Sequence, residues 1–212
     1  MKVRAMGGFD PKTHWQEVYS TKPQDGVSWY QETPSPSLEL LEAADATPEA
    51  GIIDVGGGAS MLADRLLARG YRDLSVLDIS PAALAAARVR IGAEAGRVDW
   101  IACDVTKWRP ARLYDIWHDR AAFHFLVGEA DRSAYLERLR AALREGGHAI
   151  IGSFAPDGPE RCSGLPVQRY DAETLAAALG AGFRLVDSRR HDHLTPWGAV
   201  QHFHFGMFRR EA

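Results

Sequence analysis

The sequence predicts an α/β protein: a mostly parallel sheet with helices on both faces, closed by an antiparallel hairpin. Three observations carry this. From residue 51 onward, short apolar runs alternate with helical patterns, the mark of successive strand–helix crossovers. Three consecutive glycines, Gly56–Gly58, follow the first apolar run, where such a unit turns from strand to helix. Finally, Phe183–Ser188 and Gln201–Phe208 both read as strands with no helical pattern between them, which predicts the hairpin.

Residues 1–36 are aromatic, polar and broken by Pro11, Pro23, Pro34 and Pro36, so they are expected to form a separate N-terminal segment. A helix is expected from Ser37 to Ala46, with Leu38, Leu41 and Ala44 on one stripe. Ile52–Val55 is the first strand, and Met61–Arg69 a helix with Leu62 and Leu66 one turn apart and Gly70 as its C-cap. After the strand Leu74–Ile79, Ser80-Pro81 supplies an N-cap and a first-position proline for the alanine-rich helix 82–91. Val98–Cys103 and Leu113–Trp117 are the third and fourth strands. A helix over Asp131–Leu143 carries Tyr135, Leu139 and Leu143 at four-residue spacing and is expected to end at Gly146-Gly147. His148–Phe154, a helix over Asp171–Leu179 and the two hairpin strands complete a sheet of seven.

The chain has 212 residues, 46% hydrophobic and 25% charged, which is enough to bury a core without disulfides or structural metal. A net charge of −3 gives no bulk attraction to nucleic acid or an anionic membrane. Cys103 and Cys162 form no CxxC pair, and MKVRAMGGFD has no apolar secretion core, so the expectation is a cytoplasmic protein. No apolar run approaches membrane-spanning length.

In an open parallel sheet, ligands bind beyond the carboxyl ends of the strands, at the switch point. IIDVGGGAS occupies that place. A dinucleotide fingerprint requires a third glycine at position 61, which is Met61. Asp54, two residues before the glycines, would repel a pyrophosphate and suits a ligand with an amino group. Asp78 ends the strand LSVLDIS, 20 residues after Gly58, where a carboxylate can accept both hydroxyls of a ribose, with Ile79 beside it. Asp104 ends the next strand, where it can accept from an exocyclic amine while the Cys103–Val105 backbone reads a ring edge.

Taken together, DVGGGAS, LDIS, ACDV, YDIWHDR and LREGGHAIIG resemble the ordered motifs of class I S-adenosylmethionine-dependent methyltransferases over roughly residues 50–209. The hairpin ending is that family's topology too. The resemblance implies a Rossmann-like domain over 37–212 in which Gly56, Gly57 and Gly58 back the methionine part of S-adenosylmethionine, Asp78 holds the ribose and Asp104 contacts the adenine. Ser60 departs from it, standing where a third glycine is common.

HDRAAFHFL looks like the stretch after the fourth strand in a branch containing protein lysine methyltransferases, with Arg120 for lysine and Ala121 for glycine. It implies His118 beside the cofactor and Asp119 as the catalytic carboxylate that orients an amine or thiol. The alternative for Asp119 is an ion pair with Arg120 or Arg132, and His124 reads as a structural histidine. In the N-terminal segment, Trp15, Tyr19, Trp29 and Tyr30 resemble an aromatic lid, whose ring faces attract a sulfonium. Their alternative is core packing. Arg169, Tyr170 and Trp197 are acceptor-side candidates. His191, His193, His202 and His204 form two H-x-H pairs that invite a metal reading, but a period-2 strand explains them better, and no metal is expected.

The leading expectation is therefore methyl transfer to a small soluble acceptor: a thiol, another soft nucleophile or an amine. Alternatives are a protein lysine methyltransferase, an NAD-dependent oxidoreductase and a non-catalytic cofactor sensor. Nucleic acid and membrane are not expected partners, and the oligomeric state is not legible.

Overall fold

A computed structural model describes residues 10–212; the start of the N-terminal segment, residues 1–9, lies outside the described residues. The sheet has seven strands in the order β3-β2-β1-β4-β5-β9-β8. In chain order these are β1 (Ile52–Val55), β2 (Leu74–Asp78), β3 (Val98–Ala102), β4 (Tyr114–Arg120), β5 (Leu143–Phe154), β8 (Phe183–Leu194) and β9 (Val200–Arg210). The first five are mutually parallel, and β9 runs antiparallel between β5 and β8. The order reverses between β1 and β4, so a crevice opens above their C-terminal ends. The remaining pair, β6 (Arg161–Cys162) and β7 (Leu165–Pro166), is a small separate hairpin with no sequence signal of its own.

Helices α1 (Pro11–Thr21), α2 (Ser35–Ala43), α3 (Leu62–Ala68), α4 (Pro81–Ile91), α5 (Glu129–Ala142) and α6 (Ala172–Leu179) surround the sheet. Their starts follow local chemistry. Asp10 accepts from the Lys12 and Thr13 amides ahead of α1, Ser80 from Ala83 ahead of α4, and Asp171 forms a reciprocal capping box with Thr174. Each sheet face has its own core. One gathers Ile52, Leu66, Ile116, Phe154, Phe203 and Phe205, and the other Ile53, Trp117, Phe123, Tyr135, Leu139 and Phe208. Strand alternation sorts neighbours such as Ile52 and Ile53 between them.

Several boundaries differ from expectation. Pro36 lies inside α2, because a proline is tolerated in a first turn whose amides have no intrahelical acceptor. The boundary at residue 36 thus falls within a helix. Gly146-Gly147 does not close α5; Leu143 is already extended, and β5 begins there. The glycines sit where the β4–β5 register jumps from Tyr114↔Leu143 to Ile116↔His148. Gly146 has φ +78°, and a Cβ on Gly147 would stand 2.7 Å from the Asp115 carbonyl. The hairpin strands run longer than their apolar patterns, since backbone pairing needs no side-chain alternation. His124 lies in a short 3-10 turn, Phe123–Phe125. Among the described residues, no helix is long and apolar enough to cross a membrane.

Gly152 on β5 faces the fully buried ring of Phe205, and a Cβ there would come within 2.5 Å of it. We expect Gly152→Ala to destabilise the fold by about 1–3 kcal/mol through overpacking, read as a lower urea midpoint. An unchanged midpoint would mean that β5 and β9 are not packed as described.

Candidate active site

A cavity of about 600 Å³ opens above the C-terminal ends of the strands, at the reversal of strand order. Its floor on one side is Gly56, Asp78 and Ile79, continuing to Cys103, Asp104 and Val105. Opposite lie Arg120 at the end of β4, Phe154 at the end of β5 and Phe203 on β9. The β6–β7 hairpin contributes Arg161, Cys162 and Leu165. Trp15, Tyr19 and Trp29 form the roof.

The glycine turn is shaped by close approach. Gly56 (φ +69°) and Gly58 (φ +45°) are in the left-handed region that glycine adopts at no steric cost. A Cβ on Gly58 would meet the Asp78 carboxylate at 2.7 Å and the Tyr19 hydroxyl at 3.1 Å. From behind, Arg90 donates to the carbonyls of Ala59 (2.9 Å) and Ser60 (2.8 Å) while pairing with Asp64. These contacts brace the turn from outside the cavity.

Asp78 is buried, and among the described residues its Oδ1 accepts only from the Ser80 amide (2.7 Å). Burial pushes its carboxyl up to about 7, the Ser80 amide pulls it back, and the charge of Asp54 adds to the rise. Asp54 is also buried. Its Oδ1 accepts from His118 Nδ1 (2.7 Å), while Oδ2 has no partner among the described residues and lies against Gly57. His118 Nε2 meets the Ser37 hydroxyl (2.8 Å), completing a chain from α2 through β4 to β1. Asp104 lines the cavity, but its carboxylate already accepts from Thr106 and pairs with Lys107 at 3.2 Å, and these partners hold it below the ordinary carboxylate range against its burial.

The roof is held at several points. Gln16 Oε1 accepts from Ser80 Oγ and the Ala82 amide, both at 3.1 Å, which docks α1 on the start of α4. Trp15 packs edge-on against Trp29 (5.7 Å) and Phe125 (5.0 Å). Arg120 donates to the Trp29 carbonyl (2.8 Å), and His193 Nε2 to the Ser28 carbonyl (2.6 Å). Tyr30 lies outside the main cavity, beside a second one of about 30 Å³ shared with Tyr19, Ser60, Met61 and Arg120.

The acceptor-side expectations fare differently. Asp119 is fully buried on the face of β4 opposite His118, away from the cavity. Its carboxylate accepts from the Ala122 and Phe123 amides and from the Tyr135 hydroxyl (2.7 Å), which itself accepts from Trp117. Burial raises it to about 6, and those donors resist the rise. It pairs with neither Arg120 nor Arg132. His118 is buried behind Asp54 and does not line the cavity. Tyr170 stacks on Phe123 in the core at 5.4 Å, and Arg169 is spent on Glu160 and the Gly158 carbonyl. Trp197, 63% exposed, sits at the tip of the β8–β9 hairpin. The H-x-H pairs fall on opposite sheet faces, because His191 stands across from Phe203 and His202 from Asp192.

Arg120 is what the sequence reading passed over. Period-2 alternation along WHDR puts His118 and Arg120 on one face and Asp119 on the other, so both HD neighbours never could face one ligand. Ala121, next in the chain, has φ +68°, a conformation that strains any residue but glycine. It stands where the motif it resembles has glycine.

The donors and acceptors fit a nucleoside. Asp78 has acceptor capacity to spare beside a turn that no side chain could share, whereas Asp54 sits behind that turn, its orphaned Oδ2 against Gly57, and does not line the cavity. Residues 52–147 match the family model of a methyltransferase domain. Trans-aconitate 2-methyltransferase of Streptomyces avermitilis is 34% identical over 166 residues, covering 74% of this chain and 56% of that protein. Malonyl-(acyl-carrier protein) O-methyltransferase 1 of Ilyobacter polytropus is 25% identical over 134 residues, covering 63% and 48%. The chain thus spans about half the length of these curated relatives. Among solved structures, the N-methyltransferase NodS of Bradyrhizobium japonicum, in complex with S-adenosylhomocysteine, superposes with a TM-score of 0.71 at 19% identity, covering 96% of this chain and 100% of that one. The 1,6-didemethyltoxoflavin N1-methyltransferase of Burkholderia thailandensis gives 0.67 at 24%, covering 95% and 84%. At such identities the likeness is one of fold. Residues 52–147 are therefore a methyltransferase domain, carried on the strand order of the S-adenosylmethionine-dependent methyltransferases on which the chain superposes.

Proposed function

We propose that the protein transfers a methyl group from S-adenosylmethionine to a small soluble acceptor whose reacting atom arrives already deprotonated. One observation carries this: the cavity joins a ribose-competent carboxylate, Asp78 against Gly58, to an apolar and cationic half whose Tyr19 hydroxyl and Cys162 thiol are kept protonated by burial, the thiol pushed up to about 11. Among the described residues lining it there is no histidine, glutamate or lysine, and its carboxylates Asp78 and Asp104 belong to the β2 and β3 ends. The third, Asp131, is on the first turn of α5.

Asp78 would hold the ribose, and Asp104 with Val105 the adenine. Bound S-adenosylmethionine supplies an electrophilic methyl: the acceptor's lone pair forms the new bond as the sulfonium C–S bond breaks and its electrons return to sulfur. The chain's own part is positioning and exclusion of water by the roof of Trp15, Tyr19 and Trp29. A carboxylate or thiolate needs no base in such a step, whereas an ammonium would have to lose a proton first. A protein lysine fits less well for that reason, and because it would enter facing the Arg120 guanidinium. The relatives named for trans-aconitate and malonyl acceptors, both carboxylate-bearing, support the same class.

Calorimetry tests the cofactor half. S-adenosylhomocysteine should bind more tightly than NAD, and Asp78→Ala should weaken it by about 1–3 kcal/mol, the scale of hydrogen bonds to a charged group. Tighter binding of NAD, or an unchanged variant, would overturn the reading.

Asp78 also ties stability to pH. Its folded value of about 7 lies above the ordinary 3.8, so between them the folded state keeps a proton that the unfolded chain has released. Stability from this group is therefore full at low pH and lost as pH rises toward 7. Without ligand, Asp78→Asn should be more stable than the wild type at about pH 8, and the gap in urea midpoint should close by about pH 4. A gap that widens toward low pH would contradict the burial of Asp78.

A further inference from the structure

Arg120 ends β4 under the roof of the cavity, and its guanidinium is incompletely used. Nη1 donates to the Trp29 carbonyl at 2.8 Å. Nε and Nη2 are buried without a partner, and no carboxylate among the described residues lies within ion-pair distance of them. These two nitrogens share one edge of the guanidinium, the edge that grips a carboxylate through two parallel hydrogen bonds. The side chain lies over the Phe203 ring, 5.0 Å from its centroid, and the cavity wall around it is Phe154, Cys162 and Trp29.

The side chain is half-buried, but its two unspent donors are shielded from water, which is costly to fold. Burial lowers the Arg120 guanidinium to about 10, which leaves it charged at neutral pH. A hydrophobic residue of similar volume would pack the same wall without that cost, so the charge points to a ligand. Resting on the methyl-transfer reading above, we propose that Arg120 is the specificity residue for the acceptor, binding a carboxylate of that acceptor along its Nε–Nη2 edge. Arg120 belongs to the β4–β5–β9 wall, across the cavity from Asp78 and Asp104, where the acceptor rather than the nucleoside has to lie. It also borders the small cavity beside Ser60, so the rival occupant of the same edge is the carboxylate of the cofactor's own methionine tail.

The test titrates the full chain, saturated with S-adenosylhomocysteine, with malonate, succinate and glutarate and with their neutral diamides. For the wild type, at least one acid should bind about tenfold or more tighter than its diamide. Arg120→Met should abolish that preference, and Arg120→Lys, which keeps the charge but not the two-pronged edge, should keep only part of it. Loss of the bond to the Trp29 carbonyl loosens the roof over either nucleoside, so S-adenosylhomocysteine and 5′-methylthioadenosine, which lacks the methionine tail, should weaken by the same factor in each variant. Three acids bound no better than their diamides by the wild type would overturn the proposal. So would an Arg120→Met protein that loses S-adenosylhomocysteine but keeps 5′-methylthioadenosine, since the edge would then serve the cofactor. If Arg120→Met does not fold, the wild-type preference and the lysine variant still decide the matter. A wild type that binds no S-adenosylhomocysteine at all strikes instead at the methyl-transfer reading.

Discussion

The buried chain Ser37–His118–Asp54 ties together three elements that the crevice needs in register: α2, β4 and β1. His118 stands directly across from Asp54 in the parallel β1–β4 pairing, at the reversal of strand order. With the imidazole committed on both sides, the phase of β4 is set. Two residues further, Arg120 must emerge on the same face, under the roof, while Asp119 must turn into the opposite core. The same chain occupies only one oxygen of Asp54 and leaves the other facing the glycine turn.

The contrast between Asp119 and the groups at the cavity shows where the fold has finished its polar accounting. Asp119 accepts two amides and a tyrosine hydroxyl, a network that fastens the turn after β4 to α5. Asp78 and Asp54 are also buried, and Arg120 is half-buried with Nε and Nη2 shielded from solvent, yet all three are under-used. Buried polar groups in a folded protein are nearly all paired. Two of the three, Asp78 and Arg120, line one cavity on opposite sides and with opposite charges, and Asp54 lies behind the glycine turn between them. A zwitterionic nucleoside and an anionic acceptor would satisfy both.

Much of the architecture was legible because each crossover carries its own chemical punctuation: Gly56–Gly58, Ser80-Pro81, and an aspartate at each of two strand ends. The cofactor side was legible for the same reason, as it is built from strand ends whose place follows from topology alone. The acceptor side was not. It depends on which way β4 faces, and on Phe154, Cys162 and Phe203, which come together only through the antiparallel insertion of β9 and a two-residue hairpin pair. Arg169 and Trp197 sit in segments that often approach a site, yet local pairing and the length of the β8–β9 ribbon carry them away from it. No period in the sequence encodes those distances.

The proposed chemistry is methyl transfer from a nucleoside site to a small anionic acceptor. Its most direct measurement is the fate of the label when the protein is incubated with methyl-labelled S-adenosylmethionine and a cell extract separated into small-molecule and protein fractions. Label should appear in the small-molecule fraction, on products that have lost one negative charge relative to their precursors. Label appearing only on protein lysines would contradict it.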